Sequence, residues 1–105
     1  MRLSPRDRPA FYLLGIGEVL FFKRRFDEAS TKLLSSLEQL PTHAITHRLL
    51  ASCYAHMARL DEAREIANRL RVITPVVVPS VVLYRNPEHR ELFLSGLRLA
   101  AGQAA

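Results

Sequence analysis

A chain of 105 residues with 49% hydrophobic and 24% charged side chains, both signs interspersed, has the composition of one folded domain with a thin core rather than of a disordered tail. No apolar run reaches the roughly 18 residues of a membrane span, the first residues lack the apolar stretch of a secretion signal, and the one cysteine, Cys53, can form no internal disulfide, so a cytoplasmic protein is expected. The formal net charge of +5 invites a nucleic-acid reading, but the 15 basic residues are spread from Arg2 to Arg98, mostly beside acidic neighbours, without an aromatic-interleaved stripe, which argues against it.

In chain order, residues 1–9 come first, and Leu3-Ser4-Pro5-Arg6-Asp7 reads as the tail of a preceding repeat. A helix is expected from Pro9 to Arg24, with Leu13, Ile16, Gly17 and Leu20 on one face. Lys23-Arg24-Arg25 then falls at the helix end, where the helix dipole favours cations. The turn Arg25-Phe26-Asp27-Glu28-Ala29 leads into a second helix carrying Ala29, Leu33, Ser36, Leu37 and Leu40, with Asp27 placed as its cap. Pro41 closes it.

The pattern then recurs. Pro75 closes a helical pattern as Pro41 does, and aligning on the two prolines gives one unit over residues 10–43 and a second over 44–77. In the second unit His47, Leu50, Ala51 and Tyr54 repeat the first helix, expected from Thr42 as cap to Ala58. Arg59-Leu60-Asp61-Glu62-Ala63 repeats the turn, and Ala63, Ile66, Ala67, Leu70 and Ile73 repeat the second helix. Residues 78–105 form a connector and a last helix. The β-branched run after Pro75 holds two prolines and no partner strand, so it is expected as a connector with one helical turn after Pro79, lying on the second unit. Asn86-Pro87 is a strong helix start, Leu92, Phe93, Leu97 and Ala100 give the buried face, and Gly102 the stop.

These features resemble tetratricopeptide repeats, whose 34-residue unit has large, small and large residues on its first helix, an alanine after the turn and a terminal proline. The likeness covers residues 10–77; His47 and Ser36 depart from it mildly. It implies an all-α fold, a right-handed superhelix of antiparallel helix pairs with a C-terminal capping helix, that binds protein or peptide. Two units fall below the three or so that such stacks need, so either the C-terminal stretch caps them or the chain pairs with itself. The end, Tyr84 to Glu91 followed by Ser95 to Ala100, is similar to the tail of repeat regions behind class III adenylate cyclase domains and some winged-helix regulators of bacteria. That resemblance implies the regulatory or assembly part of a larger signalling protein. No catalytic motif of a cyclase is present.

Candidate sites follow from the surplus of apolar surface on the first helix. Phe11, Leu14, Glu18, Phe21 and Phe22, with Arg48, Ser52 and His56 of the second unit, are expected to line a groove for a protein partner, and Phe11 and Leu14 would otherwise cover a preceding unit. The alternative is self-association through the first helix. His43 and His47 have the i, i+4 spacing of a zinc pair but lack a third ligand, and Cys53 with His56 lacks an orienting third group. No metal, cofactor or catalytic residue is therefore expected, and His47 and Cys53 are read as core.

Overall fold

In the computed structural model, which describes residues 8–80, 82 and 84–103, the end of the first helix and both ends of the second recur at equivalent places in the two units. The helices are α1 (Arg8–Phe22), α2 (Phe26–Gln39), α3 (Ala44–His56), α4 (Leu60–Ile73) and α5 (Pro87–Ala100). There is no strand among the described residues. The segment read as a preceding tail, Leu3 to Asp7, lies outside them.

The turns within the two pairs share one geometry. Arg24 and Ala58, which hold the same place in their units, both take left-handed backbone, with φ of 62° and 61°. The next residues, Arg25 and Arg59, have φ −92° with ψ 68° and 66°. In each turn the left-handed residue's N–H donates to the carbonyl three back, Arg24 to Phe21 and Ala58 to Ala55. The following N–H reaches five back, Arg25 to Leu20 and Arg59 to Tyr54, which together satisfy the last carbonyls of the helix. One residue then separates this turn from the next helix, so the chain re-enters helical conformation at Phe26 and Leu60. Asp27 and Asp61 are therefore not the caps that the sequence led us to expect. They sit one residue inside the helix, where they complement the positive end of its dipole, and neither helix has a side-chain cap bond. Thr42 is likewise not a cap: α3 starts at Ala44 behind His43, whose Nδ1 is bonded to Thr46 Oγ1 at 2.9 Å.

Packing follows the apolar faces. α1 lies on α2, α3 on α4, α2 on α3, and α5 on α3 and α4. Gly17 lets α2 come close, since a Cβ there would stand 2.8 Å from the Leu33 side chain. Ser36, the departure from alanine, donates through Oγ to the Ala10 carbonyl at 2.7 Å and ties α2 to the start of α1. The residues of α1 that are fully enclosed are Ala10, Gly17 and Phe21, whereas Leu13, Ile16 and Leu20 are half-buried. The difference arises because α1 is an outer helix with one side uncovered.

The connector differs from expectation. Among its described residues no helical turn follows Pro79, and instead of resting on the second unit alone it crosses both first helices, bonding to Arg48 of α3 and Glu18 of α1. α5 begins as the sequence indicates, with Asn86 Oδ1 accepting from the Glu88 N–H at 2.9 Å and Pro87 in the first turn. It buries Leu92, Phe93, Gly96, Leu97 and Ala100 and ends at Gly102, φ +84°.

Candidate functional site

Each first helix of a pair has three faces, and comparing them locates the site. On α3 all three are engaged, although Ile45 in its first turn is 49% exposed. One face, Arg48, Ser52 and His56, holds the C-terminal segment: Arg48 donates to the Val76 carbonyl at 2.8 Å and the Val77 carbonyl at 3.2 Å. Ser52 Oγ donates to Phe93 O at 2.8 Å, and His56 Nε2 to Leu92 O at 2.6 Å. His56 is also stacked on Phe26, ring centroids 5.3 Å apart. A second face meets α4, with Tyr54 under the Arg59 guanidinium at 4.9 Å. The third, Thr46, Leu49 and Cys53, is completely buried, and the Cys53 thiol donates to the Phe26 carbonyl of α2 at 3.2 Å.

On α1 two faces are covered and one is open. Leu14, Glu18 and Phe22 hold the places in the first unit that Arg48, Ser52 and His56 hold in the second, and Glu18 and Phe22 meet the same C-terminal segment while Leu14 packs on the core. Tyr84 donates to Glu18 Oε2 at 2.7 Å, and Phe22 packs edge-on against Tyr84 and stacks on His89 at 4.2 Å. Gly17 faces α2. The remaining face is Tyr12, Gly15 and Val19, with Tyr12 72% and Val19 55% exposed and, among the described residues, no neighbouring element within 4 Å of where a Gly15 Cβ would be. With Phe11, Ile16 and Leu20 it walls an open depression of about 470 Å³.

The groove expected from the sequence is thus occupied by the chain itself. Phe21 and Ser52 are fully buried and cannot meet a partner, because Phe21 sits among Phe22, Phe26 and His56 while Ser52 holds α5. Glu18, Phe22, Arg48 and His56 are engaged by Tyr84, His89 and the carbonyls of residues 76, 77 and 92, and Leu14 packs on the core. A cavity of about 290 Å³ remains under the connector, between Ile45, Arg48, Pro79, Val82 and Phe93. Of the eight residues, only Phe11 belongs to the open face, where it also stands edge-on to His43 at 5.2 Å.

The other sequence candidates fall into the packing. His47 is buried, and its Nδ1 donates to the His43 carbonyl at 2.8 Å. Burial, and secondarily the nearby His47, lowers the His43 pKa. Among the described residues no three His, Cys, Asp or Glu side chains gather as a metal site. Burial, reinforced by Asp27, pushes the Cys53 thiol up to about 12, so it stays protonated at neutral pH. The Tyr84 phenol is also raised, by burial and by its bond to Glu18. Of the run Lys23-Arg24-Arg25, Arg25 pairs with Glu28 and the other two are exposed. No helix among the described residues is long and apolar enough to cross a membrane.

Tyr12, Val19, Tyr84 and Gly96 are the consequential residues that sequence reasoning passed over. The signal for the first two was available in the alignment of the two units, which pairs Tyr12 with Thr46 and Val19 with Cys53 and so contrasts two large apolar residues with two small ones. No protein-family model matches this chain, nor does any curated protein or any solved structure.

Proposed function

We propose that this chain is a protein-binding module: a tetratricopeptide-type right-handed superhelix of two helix pairs, capped by α5, that serves as the regulatory or assembly part of a larger signalling protein such as a bacterial adenylate cyclase. The repeat reading is supported by the recurrence of turn geometry at Arg24 and Ala58. The cap is supported by α5, which packs against α3 and α4 and ends in a left-handed glycine. The signalling context rests on the likeness of the Tyr84 to Ala100 tail.

The observation that carries the binding function is the open α1 face. Tyr12 and Val19 expose large apolar side chains along one stripe, and a contiguous apolar face with an aromatic residue is the composition of an interface core. The partner docks there, and recognition is by packing. A photoreactive benzoylphenylalanine at position 12, compared with one at the exposed position 72 of α4, tests this in the producing cell. Position 12 is expected to give a discrete protein adduct, identified by mass spectrometry, that Val19→Glu abolishes. An adduct to another copy of the chain would favour self-association, and equal labelling from both positions would end the reading.

A further inference from the structure

The repeat supplies its own template for what covers α1. Tyr12, Gly15, Ile16 and Val19 correspond in the second unit to Thr46, Leu49, Leu50 and Cys53, each with no exposed surface. α3 at this face packs against α2, whose first carbonyl takes the Cys53 thiol and whose Asp27 helps to raise that thiol's pKa. The equivalent face of α1 is therefore shaped for a helix.

The glycines indicate the same kind of occupant. Glycine inside a helix costs roughly 1 kcal/mol relative to alanine, so it is retained where something comes close. A Cβ on Gly17 would meet Leu33, and one on Gly96 would meet the backbone of Ser52 at 2.7 Å; in both cases a neighbouring helix occupies the space. Gly15, the third helical glycine, lies in the middle of the open stripe with no other element of the described residues against it.

Charge narrows the choice further. Between Arg8 and Lys23 the only charged residue of α1 is Glu18, which is turned to Tyr84 on another face, so the stripe is neutral with exposed cations at both ends. α2, the helix that covers the equivalent face, carries three carboxylates, Asp27, Glu28 and Glu38, against Lys32. A second copy of this chain, at +5, meets the cationic rim less well.

We infer that the α1 face of Tyr12, Gly15 and Val19 is the seat of an acidic amphipathic helix, the outgoing helix of a helix pair, docked on α1 as α2 docks on α3. The inference rests on the reading of α1 as the docking face and specifies its occupant. Close approach occurs at Gly15, aliphatic side chains fill the depression beside Ile16, and carboxylates meet Arg8, Lys23 and Arg24.

The test extends the chain from Arg8 onward with the helix pair whose acidic outgoing helix is in hand: residues 8–41 are joined directly to Arg8, the equivalent of Thr42, so that α1 and its rim cations are kept. Amide exchange at Tyr12, Gly15 and Val19 of the original α1 is expected to slow at least tenfold against the unextended chain. Val19→Glu in that α1 should reverse the slowing, and Asp27→Asn with Glu28→Gln and Glu38→Gln in the added pair should reduce it. An extension that stays unstructured, or that folds while these amides exchange as before, overturns the inference. Slowing untouched by the three neutralisations overturns its acidic part. A concentration-dependent dimer of the unextended chain, dissolved by Val19→Glu, assigns the face to a second copy instead. Each of these outcomes is separable from the cross-linking result, since a position-12 adduct to a non-helical partner would retain the docking face and reject its helical occupant.

Discussion

The two first helices, α1 and α3, descend from one sequence pattern but end in opposite circumstances. α3 is enclosed by α2, α4 and α5, and its positions 46, 49 and 53 have no exposed surface, whereas α1 has Tyr12 72% and Val19 55% exposed at the equivalent positions. The pattern alone does not decide burial; the neighbour does. At the α5 end Ser52 and His56 donate to carbonyls of α5, whereas at the other end α1 keeps an exposed face.

The sharpest way to break the comparison is to place one charge at both positions of an equivalent pair. Cys53→Glu puts a carboxylate where even the thiol is held protonated by burial and by Asp27, and where the Phe26 carbonyl accepts the thiol's hydrogen bond. A cost above about 4 kcal/mol is expected, enough to prevent folding of a domain this size, seen as loss of helical circular dichroism and of a cooperative melt.

Next in size is Gly96→Ala at the closed end. The new Cβ would meet Ser52 Oγ, the Ser52 carbonyl at 2.7 Å and the His56 ring at 2.8 Å, so α5 must move off α3 and stretch the bonds that hold it. Overpacking of this kind costs about 1–3 kcal/mol, to be read from the urea midpoint at unchanged m. Tyr84→Phe follows. It keeps the ring between Phe22 and Phe93 but removes the hydroxyl that Glu18 accepts, leaving a half-buried carboxylate without that donor. The loss should be about 1.5 kcal/mol in the same titration, and Glu18→Gln in the Tyr84→Phe background should recover part of it.

How much of this the sequence disclosed depends on whether the determinant is local. The paired turns were legible because Arg25-Phe26-Asp27-Glu28-Ala29 and Arg59-Leu60-Asp61-Glu62-Ala63 state the same turn twice, and α5 because Asn86-Pro87 is a self-contained start. The left-handed turns were hidden, since Arg24 and Ala58 stand where glycine would have announced them. The course of the connector was hidden for a different reason. Arg48, Ser52 and His56 bind main-chain carbonyls, which every residue has, so no side-chain pattern identifies residues 76, 77, 92 and 93 as their acceptors. Of the eight expected groove residues, Phe21 and Ser52 were mistaken for surface because periodicity cannot tell an inner neighbour from an outer ligand.

A smaller effect, of opposite sign, tests the turn that the two units share. Left-handed backbone costs a residue with a Cβ roughly 1–2 kcal/mol, and glycine is freed of that cost while losing more entropy on folding. Ala58→Gly should therefore stabilise by about 0.5–1 kcal/mol, raising the melting temperature by a few degrees. Arg24→Gly should do the same, because the two φ values agree within a degree. Equal gains would establish the turns as energetically equivalent; a gain at Ala58 with a loss at Arg24 would mean that the arginine side chain contributes something the backbone geometry does not show.

The smallest expected effect is the counterpart of the largest. Val19→Glu adds a carboxylate at the position equivalent to Cys53, but on a face where the side chain already meets solvent and where glutamate is at least as good a helix former as valine. Stability should change by no more than about 0.5 kcal/mol, with the circular dichroism unaltered. The gap between position 53 and position 19 then measures what a covering helix contributes to one repeat face. If Val19→Glu destabilised the isolated chain by several kcal/mol, the α1 face would have to be covered by something within the chain itself, and its availability to a partner would fall with it.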